Sequence, residues 1–201
     1  MILWTIQRYP VWEELNEKGV FHGTRDHIMD EYYLAAYQWM IRQMEVRKIR
    51  KPFDKAFPIW AWYQWNGVAK RMPDLRYRGH LSPGSRGVRI KFETDDALVL
   101  LSDFDLWHYV LNYWYLSTSM AEGNRFDREL KRIGLDYYEM KPLPNEEYHR
   151  RIERSWEKIF DLDWVDKYRH IAHKREGKSI QATFWELKLE YVREVKEFMA
   201  P

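Results

Sequence analysis

Aromatic side chains are the feature that most limits how this chain can fold. Its 201 residues include 11 Trp, 14 Tyr and 9 Phe. Each ring buries a large apolar area, and Tyr and Trp also carry a polar atom that needs a partner when buried. The composition therefore predicts a core built on aromatic rings. It leaves open the alternative that some rings line a cleft for a flat ligand, such as a base or a nicotinamide.

Length and charge indicate one globular domain. A chain of this size can bury about 70% of its unfolded surface in a single core. The absence of cysteine excludes disulfides, thiolate nucleophiles and cysteine-ligated metals, and we predict no metal site. We find no secretion-signal pattern and no apolar stretch near the ~20 residues of a membrane span. We therefore expect a cytoplasmic protein with no membrane partner, and its net charge of +2 gives it no general attraction to nucleic acid.

Alternating and continuous apolar segments predict strands along the whole chain. The predicted strands lie at residues 3–7, 20–22, 59–65, 88–93, 97–101 and 179–187. We expect a first helix between Pro10 and Gly19, because Pro favours the first helical turn and Gly the position after the last. The strongest three- and four-residue periodicity predicts a helix at 26–48. Another helix is expected to follow a cap at Ser102 or Asp103.

The second half of the chain predicts a helical insertion and then a late strand. Residues 117–177 are charged and mostly helical in pattern, with one helix ending at Gly134 and another starting at Asn145. The late strand at 179–187 is expected to return to the sheet of the first half. This order favours a single α+β domain over residues 1–201, with a small mixed sheet and flanking helices.

A basic segment between residues 67 and 91 is the only lopsided charge feature. Its cations are Lys70, Arg71, Arg76, Arg78, Arg86, Arg89 and Lys91. Asp74 is the single acid there, and Tyr77 and His80 lie among the cations. Basic loops with aromatic residues suit phosphate contact and base stacking, so we predict a nucleic-acid surface at Arg71, Arg76, Arg78 and Arg86. The alternative is a solvated loop whose cations pair with acids elsewhere in the chain.

The late strand carries a carboxylate in an apolar setting. On a regular strand Gln181, Thr183 and Trp185 share one face, and Glu186 lies on the other. A buried Glu without a partner is costly. Glu186 is therefore either a functional carboxylate or a member of an ion pair at the edge of the sheet.

Four segments make the chain similar, over its full length, to a family of uncharacterised bacterial proteins of the same size. They lie at residues 3–7, 60–65, 100–110 (LLSDFDLWHYV) and 181–187 (QATFWEL). This resemblance implies no known activity.

The layout also resembles ADP-ribosyltransferase toxins that modify nucleic acid. Those families have an early strand and helix ending in Gly, a central strand with an aromatic residue, and a late strand with a catalytic Glu in a Gln-Ala-Glu motif. The matching residues here are Gln181 and Ala182, and Thr183 stands where the motif has Glu. The resemblance implies that either Glu186 supplies the catalytic carboxylate, which requires a bulge to bring it to the face of Thr183, or the transferase chemistry is lost.

The same resemblance implies NAD as the cofactor. A carboxylate would stabilise the positive charge that develops on the ribose, and an aromatic ring would stack on the nicotinamide. Gln7, Trp60, Trp62 and Gln181 are the expected NAD-binding residues. The leading hypothesis is an NAD-dependent ADP-ribosyltransferase-like protein, a toxin or defence factor acting on nucleic acid. The alternatives are a non-enzymatic module of the same fold that binds nucleic acid or a cognate protein partner, and a purely structural protein.

Overall fold

The computed structural model describes residues 1–25, 31–166, 169 and 171–201. The strands in this part of the chain are β1 (Ile2–Arg8), β2 (Val20–His22), β3 (Ile59–Gln64), β4 (Arg86–Glu93), β5 (Leu100–Asp103), β6 (Ile180–Phe184), β7 (Glu186–Lys188) and β8 (Val192–Met199). The helices are α1 (Tyr9–Lys18), α2 (Leu34–Val46), α3 (Phe104–Leu111), α4 (Met120–Arg132) and α5 (Glu146–Trp156). None of these helices is both long and apolar enough to cross a membrane.

Two sheets organise the described residues. The larger has six strands in the order β5-β6-β3-β1-β4-β8, and β2 pairs with β7 in a smaller one. Each neighbouring pair runs antiparallel. The late strand β6 lies between β3 and β5 of the first half, as predicted. The sheets are antiparallel and the helices do not alternate with parallel strands in a βαβ repeat, so the α+β class is confirmed.

Two cores hold the helices to the sheet. Leu15 of α1 and Phe184 of β6 are buried in the first. The second joins α2, α3 and α5, and its centre is aromatic, because Trp39, Trp107 and Trp156 are all at most 4% exposed. The rings of Trp39 and Trp156 meet edge to face with centroids 5.5 Å apart. The predicted aromatic core is therefore confirmed, and the region 117–177 contributes to it through α5.

Helix α1 forms where its local signals placed it. Pro10 lies in its first turn, and Gly19 ends it in the left-handed conformation with φ of 72°. Gly adopts that conformation without steric cost. The sharp stop returns the chain directly into β2, which is short and carries His22 in the smaller sheet.

Two predicted elements are shorter than expected. The apolar run at 97–101 is not one strand, because the side chain of Asp95 accepts a hydrogen bond from the Ala97 amide and caps a 3₁₀ turn at Asp96–Leu98. The strand β5 begins only at Leu100. The helix expected at 26–48 contributes a 3₁₀ turn at Glu31–Tyr33 followed by α2, and residues 26–30 lie outside the described residues.

The late strand is interrupted at Trp185, which corrects the prediction of one continuous strand. The Trp185 ring is 4% exposed, and its indole nitrogen donates to the Ile49 carbonyl at 3.0 Å. Burial of this ring in the helical core separates β6 from β7. As a result Glu186 leaves the larger sheet and lies opposite His22 in the smaller one.

Candidate functional site

An aromatic cavity opens where β3 ends. It measures about 620 Å³, and Trp62, Trp65, Tyr77 and Phe104 form its apolar walls. Trp62 lies 4.5 Å from Trp65 and 4.9 Å from Phe104, measured between ring centroids. Tyr77 lies 5.0 Å from Trp65 and is 52% exposed. The polar residues of the lining are Asn66, Asp74, Arg76, Asp105 and Ser179. We call this site the aromatic cavity.

Irregular backbone brings these rings together. A bulge between Trp62 and Gln64 in β3 changes the pairing with β6. The side-chain amide of Gln64 donates to the Lys178 carbonyl at 2.7 Å. The Ser179 hydroxyl donates to the Trp65 carbonyl at 2.6 Å. Gly67 follows with φ of 75°, and a Cβ there would lie 2.8 Å from the Glu176 carbonyl oxygen. The chain can therefore turn sharply away from the rings at this glycine.

A second, basic cavity adjoins the first. It measures about 670 Å³ and shares Trp65, Asn66, Asp74 and Arg76 with the aromatic cavity. Among the described residues its lining holds the cations Lys70, Arg71, Arg76, Arg89 and Lys196, and the single acid Asp74. We call this site the basic cavity. The two form one continuous surface that is aromatic on one side and cationic on the other.

The cations of the basic cavity differ in how they are held. Arg71 donates to the Tyr63 carbonyl at 3.1 Å and stacks over that ring at 4.5 Å. Arg89 donates to the Pro73 carbonyl at 2.9 Å and lies 3.8 Å from Glu194. A carbonyl and a ring orient the Arg71 guanidinium and supply no counter-charge.

Arg76 is bound to Asp74, the acid that lines both cavities. Its guanidinium lies 2.5 Å from Asp74, and its backbone amide donates to the same carboxylate at 3.0 Å. These hydrogen bonds, and then the charge of Arg76, hold the pKa of Asp74 well below its usual range. The Asp74 carboxylate is therefore fully ionised at neutral pH, and its oxygens already accept hydrogen bonds from Arg76.

The basic residues predicted from the sequence separate into two groups. Arg71 and Arg76 line the basic cavity, whereas Arg78 is exposed and Arg86 lies at the start of β4, and neither is among the described lining residues. Arg86 forms an ion pair with Glu197 at 2.7 Å and stacks over Tyr9 at 3.4 Å.

Sequence reasoning missed Lys196 as part of this surface. It lies opposite Arg89 in the β4–β8 pairing, and it reaches the basic cavity from the far end of the chain. The apolar residues around it, Val192, Val195 and Phe198, lie three positions apart, and this spacing reveals neither the strand nor its neighbour.

Asp105 is the second carboxylate of the aromatic cavity. The side chain of Asp103 caps α3 by accepting from the amides of Asp105 and Leu106, and this fixes Phe104 and Asp105 in the first turn. Burial raises the pKa of Asp105, and the nearby charge of Asp103 raises it further. The Asp105 carboxylate accepts no hydrogen bond from another described residue.

A smaller cavity of about 160 Å³ lies where the two sheets meet, and Gln7 and Trp60 both line it. The Gln7 amide donates to the Thr5 hydroxyl at 2.7 Å. The Tyr37 ring closes the cavity 5.9 Å from Trp60, and burial raises the pKa of Tyr37. We call this site the Gln7 cavity. Trp62 belongs instead to the aromatic cavity, with Gln181 opposite it in the β3–β6 pairing.

The two candidate motif positions of the late strand lie in different sheets. Thr183 is opposite Trp60 and is 0% exposed, and its hydroxyl has no hydrogen-bond partner among the described residues. Glu186 is 38% exposed in its side chain and lies 3.0 Å from the His22 imidazole. Gly23, the neighbour of His22, lines the Gln7 cavity. Glu186 itself lies on the smaller sheet and is not among the described residues that line this cavity.

The comparisons with known proteins give a family. A sequence profile described as a domain of unknown function, DUF3841, matches residues 2–193, so the chain belongs to this family. No curated protein matches the chain. No solved structure matches it either.

Proposed function

We propose that this member of the DUF3841 family binds single-stranded nucleic acid across the aromatic and basic cavities. Unpaired bases would stack on Trp65 and Tyr77, and the phosphates would lie against Lys70, Arg71 and Lys196. The observation that carries the proposal is the shared boundary of the two cavities, at Trp65, Asn66, Asp74 and Arg76.

The chemistry of each cavity suits one half of a nucleotide. Aromatic rings stack on every base, because every base has a π face, and each stacked base contributes about 1–3 kcal/mol. Cations attract the backbone and release its counterions. Tyr77 is 52% exposed, so a ligand reaches its ring without rearrangement of the core. A stacked base has to be unpaired, which favours a single strand over a duplex.

The test is an anisotropy titration with a fluorescently labelled single-stranded oligonucleotide at several salt concentrations. Tyr77→Ala removes an exposed ring, and we expect affinity to fall about tenfold or more. Lys70→Ala should lower the slope of log affinity against log salt by about 0.7, the contribution of one phosphate contact to a single strand.

Matched controls come from exposed residues outside the surface. Tyr138 is 61% exposed, and Lys174 is exposed as well. Tyr138→Ala and Lys174→Ala should leave affinity and slope as they are in the wild type. The proposal would be contradicted if Tyr77→Ala bound the oligonucleotide with wild-type affinity and Lys70→Ala showed the same salt slope as the wild type.

A second candidate function is an NAD-dependent ADP-ribosyltransferase that acts on nucleic acid as a toxin or defence factor. It is favoured by the Gln7 cavity, where Trp60 would stack on a nicotinamide, and by Gly23 of that lining, which directly follows His22, the partner of Glu186. The cavity of about 160 Å³ is smaller than the roughly 300–1,000 Å³ of ordinary ligand pockets, so NAD would have to open it. Transfer of label from NAD to mixed nucleic acid tests this function, and absence of transfer would exclude it.

A further inference from the structure

We infer that the aromatic cavity prefers guanine among the bases, with Asp105 as the residue that selects it. This inference rests on the proposed function, because it names the base that the same surface takes. Stacking alone tolerates every base, so a preference requires a polar group at the edge of the ring.

Asp105 is the carboxylate that is free to accept from a ligand. Both oxygens of Asp74 already accept from Arg76, at distances of 2.5 to 3.1 Å. The Asp105 carboxylate lines the same cavity and accepts no hydrogen bond from another described residue. Helix α3 holds it in place, because the backbone amide of Asp105 is fixed by the Asp103 cap at 3.0 Å.

A carboxylate selects guanine because of the donors on that base. Guanine presents two adjacent N–H groups, N1–H and the N2 amino group, on its Watson–Crick edge. These match the two acceptor oxygens of one carboxylate, which carries no donor when ionised. Adenine and cytosine present one amino group beside an acceptor nitrogen, and that nitrogen would face a carboxylate oxygen without a proton between them.

The partition of charge over the surface supports this assignment. Asp105 lies in the aromatic cavity and is not among the described residues of the basic cavity. A carboxylate among the cations would repel the phosphates, whereas one beside the rings can reach a base edge. Asn66 lines both cavities, and its amide can donate to O6 of a guanine bound to Asp105.

The experiment compares oligonucleotides of dT that carry one central dG, dA, dC or deoxyinosine. Inosine keeps N1–H but lacks the N2 amino group. For the wild type we expect the dG oligonucleotide to bind about tenfold tighter than those with dA or dC, and the inosine one to lie between them. Asp105→Asn should remove this preference and keep the affinity for the dT oligonucleotide, because the amide has the same shape and does not touch the cap.

The outcomes separate this inference from the proposed function. Equal affinities for all four oligonucleotides in the wild type, or a guanine preference that survives Asp105→Asn, would overturn the role of Asp105 and leave single-strand binding intact. Failure of every oligonucleotide to bind at low salt would overturn both. The Asp74→Asn variant serves as the control, and its base preference should remain that of the wild type.

Discussion

Lys178 Nζ lies 2.9 Å from Asp103 Oδ2, and each of these two side chains is only 1% exposed. Lys178 also donates to the Trp164 carbonyl at 3.0 Å. Asp103 uses its other carboxylate oxygen to cap α3. The buried pair thus ties the chain just before β6 to the start of α3, where Phe104 and Asp105 enter the aromatic cavity.

Lys178→Met tests how much this ion pair contributes to the stability of the fold. The substitution keeps the length of the side chain and leaves the Asp103 carboxylate buried without its partner. Removing one member of a buried ion pair costs about 3–5 kcal/mol, because the other charge stays uncompensated. We expect a loss of that size in the free energy of unfolding, measured by urea denaturation. The exposed Lys174→Met is the control, and a similar small change in both variants would contradict the prediction.

The environment of the His80 side chain predicts that the stability of the protein depends on pH. Its ring lies 4.7 Å from Trp65, and its Nε2 donates to the Asp74 carbonyl at 3.0 Å. Burial lowers the pKa of His80, and the charge of Arg89 lowers it further, while Asp74 opposes the shift in part. The unfolded chain therefore binds the proton more tightly than the folded chain does. The stabilisation is complete above the unfolded pKa of about 6.5 and is lost as the pH falls towards the folded pKa.

The measurement is the free energy of unfolding across that range. Between about pH 7.5 and pH 5.5 we expect wild-type stability to fall more steeply than that of His80→Gln. The difference between the two curves isolates this histidine from the other titrating groups. His173, which is exposed, supplies the control substitution. Parallel curves for the wild type and His80→Gln would show that His80 does not contribute.

Local signals predicted the elements that depend on neighbouring residues in the sequence. Gly19 ends α1, and Asp103 and Asn145 cap α3 and α5. The break at Trp185 could not be predicted, because it depends on a hydrogen bond to Ile49, which lies far away in the sequence. A regular alternation through 179–187 therefore placed Glu186 in the wrong sheet.

The candidate surface was predicted only in part for the same reason. The run of cations identified Arg71 and Arg76, because charge density is visible in the sequence. The cap that fixes Asp105 was predicted, but the cavity that Asp105 faces and the β4–β8 pairing that brings Lys196 to the surface depend on contacts that a single sequence does not reveal. Arg86 lies in the same basic segment, but its strand directs it to Tyr9 and Glu197.

Two buried threonines beside Trp60 allow a matched comparison. Thr183 and Thr5 are both 0% exposed, but within the described part of the chain the Thr183 hydroxyl has no hydrogen-bond partner. The Thr5 hydroxyl donates to the Trp60 carbonyl at 2.8 Å and accepts from the Gln7 side chain. Val has nearly the same shape as Thr. Thr183→Val should therefore leave stability unchanged or raise it by about 1 kcal/mol.

Thr5→Val is the opposite case. It leaves the Trp60 carbonyl and the Gln7 amide without their partner, and we expect a loss of about 1–3 kcal/mol. Thermal or urea unfolding of the two variants side by side gives the comparison. A larger loss for Thr183→Val than for Thr5→Val would mean that the Thr183 hydroxyl is bonded in solution.

Glu186 decides between the two candidate functions. Its carboxylate faces His22 at 3.0 Å, and the two side chains are 38% and 25% exposed. Solvent screens a pair of this kind, so Glu186→Gln should change stability by less than about 1 kcal/mol.

If Glu186 stabilises a developing ribosyl cation, the same substitution should lower the transfer of label from NAD by about 10²–10³. His22→Gln is the control, because it removes the partner and keeps the carboxylate, and it should retain most of the transfer. Equal transfer by the wild type and Glu186→Gln would exclude Glu186 as the catalytic residue, since Thr183 already replaces the motif carboxylate with a buried hydroxyl.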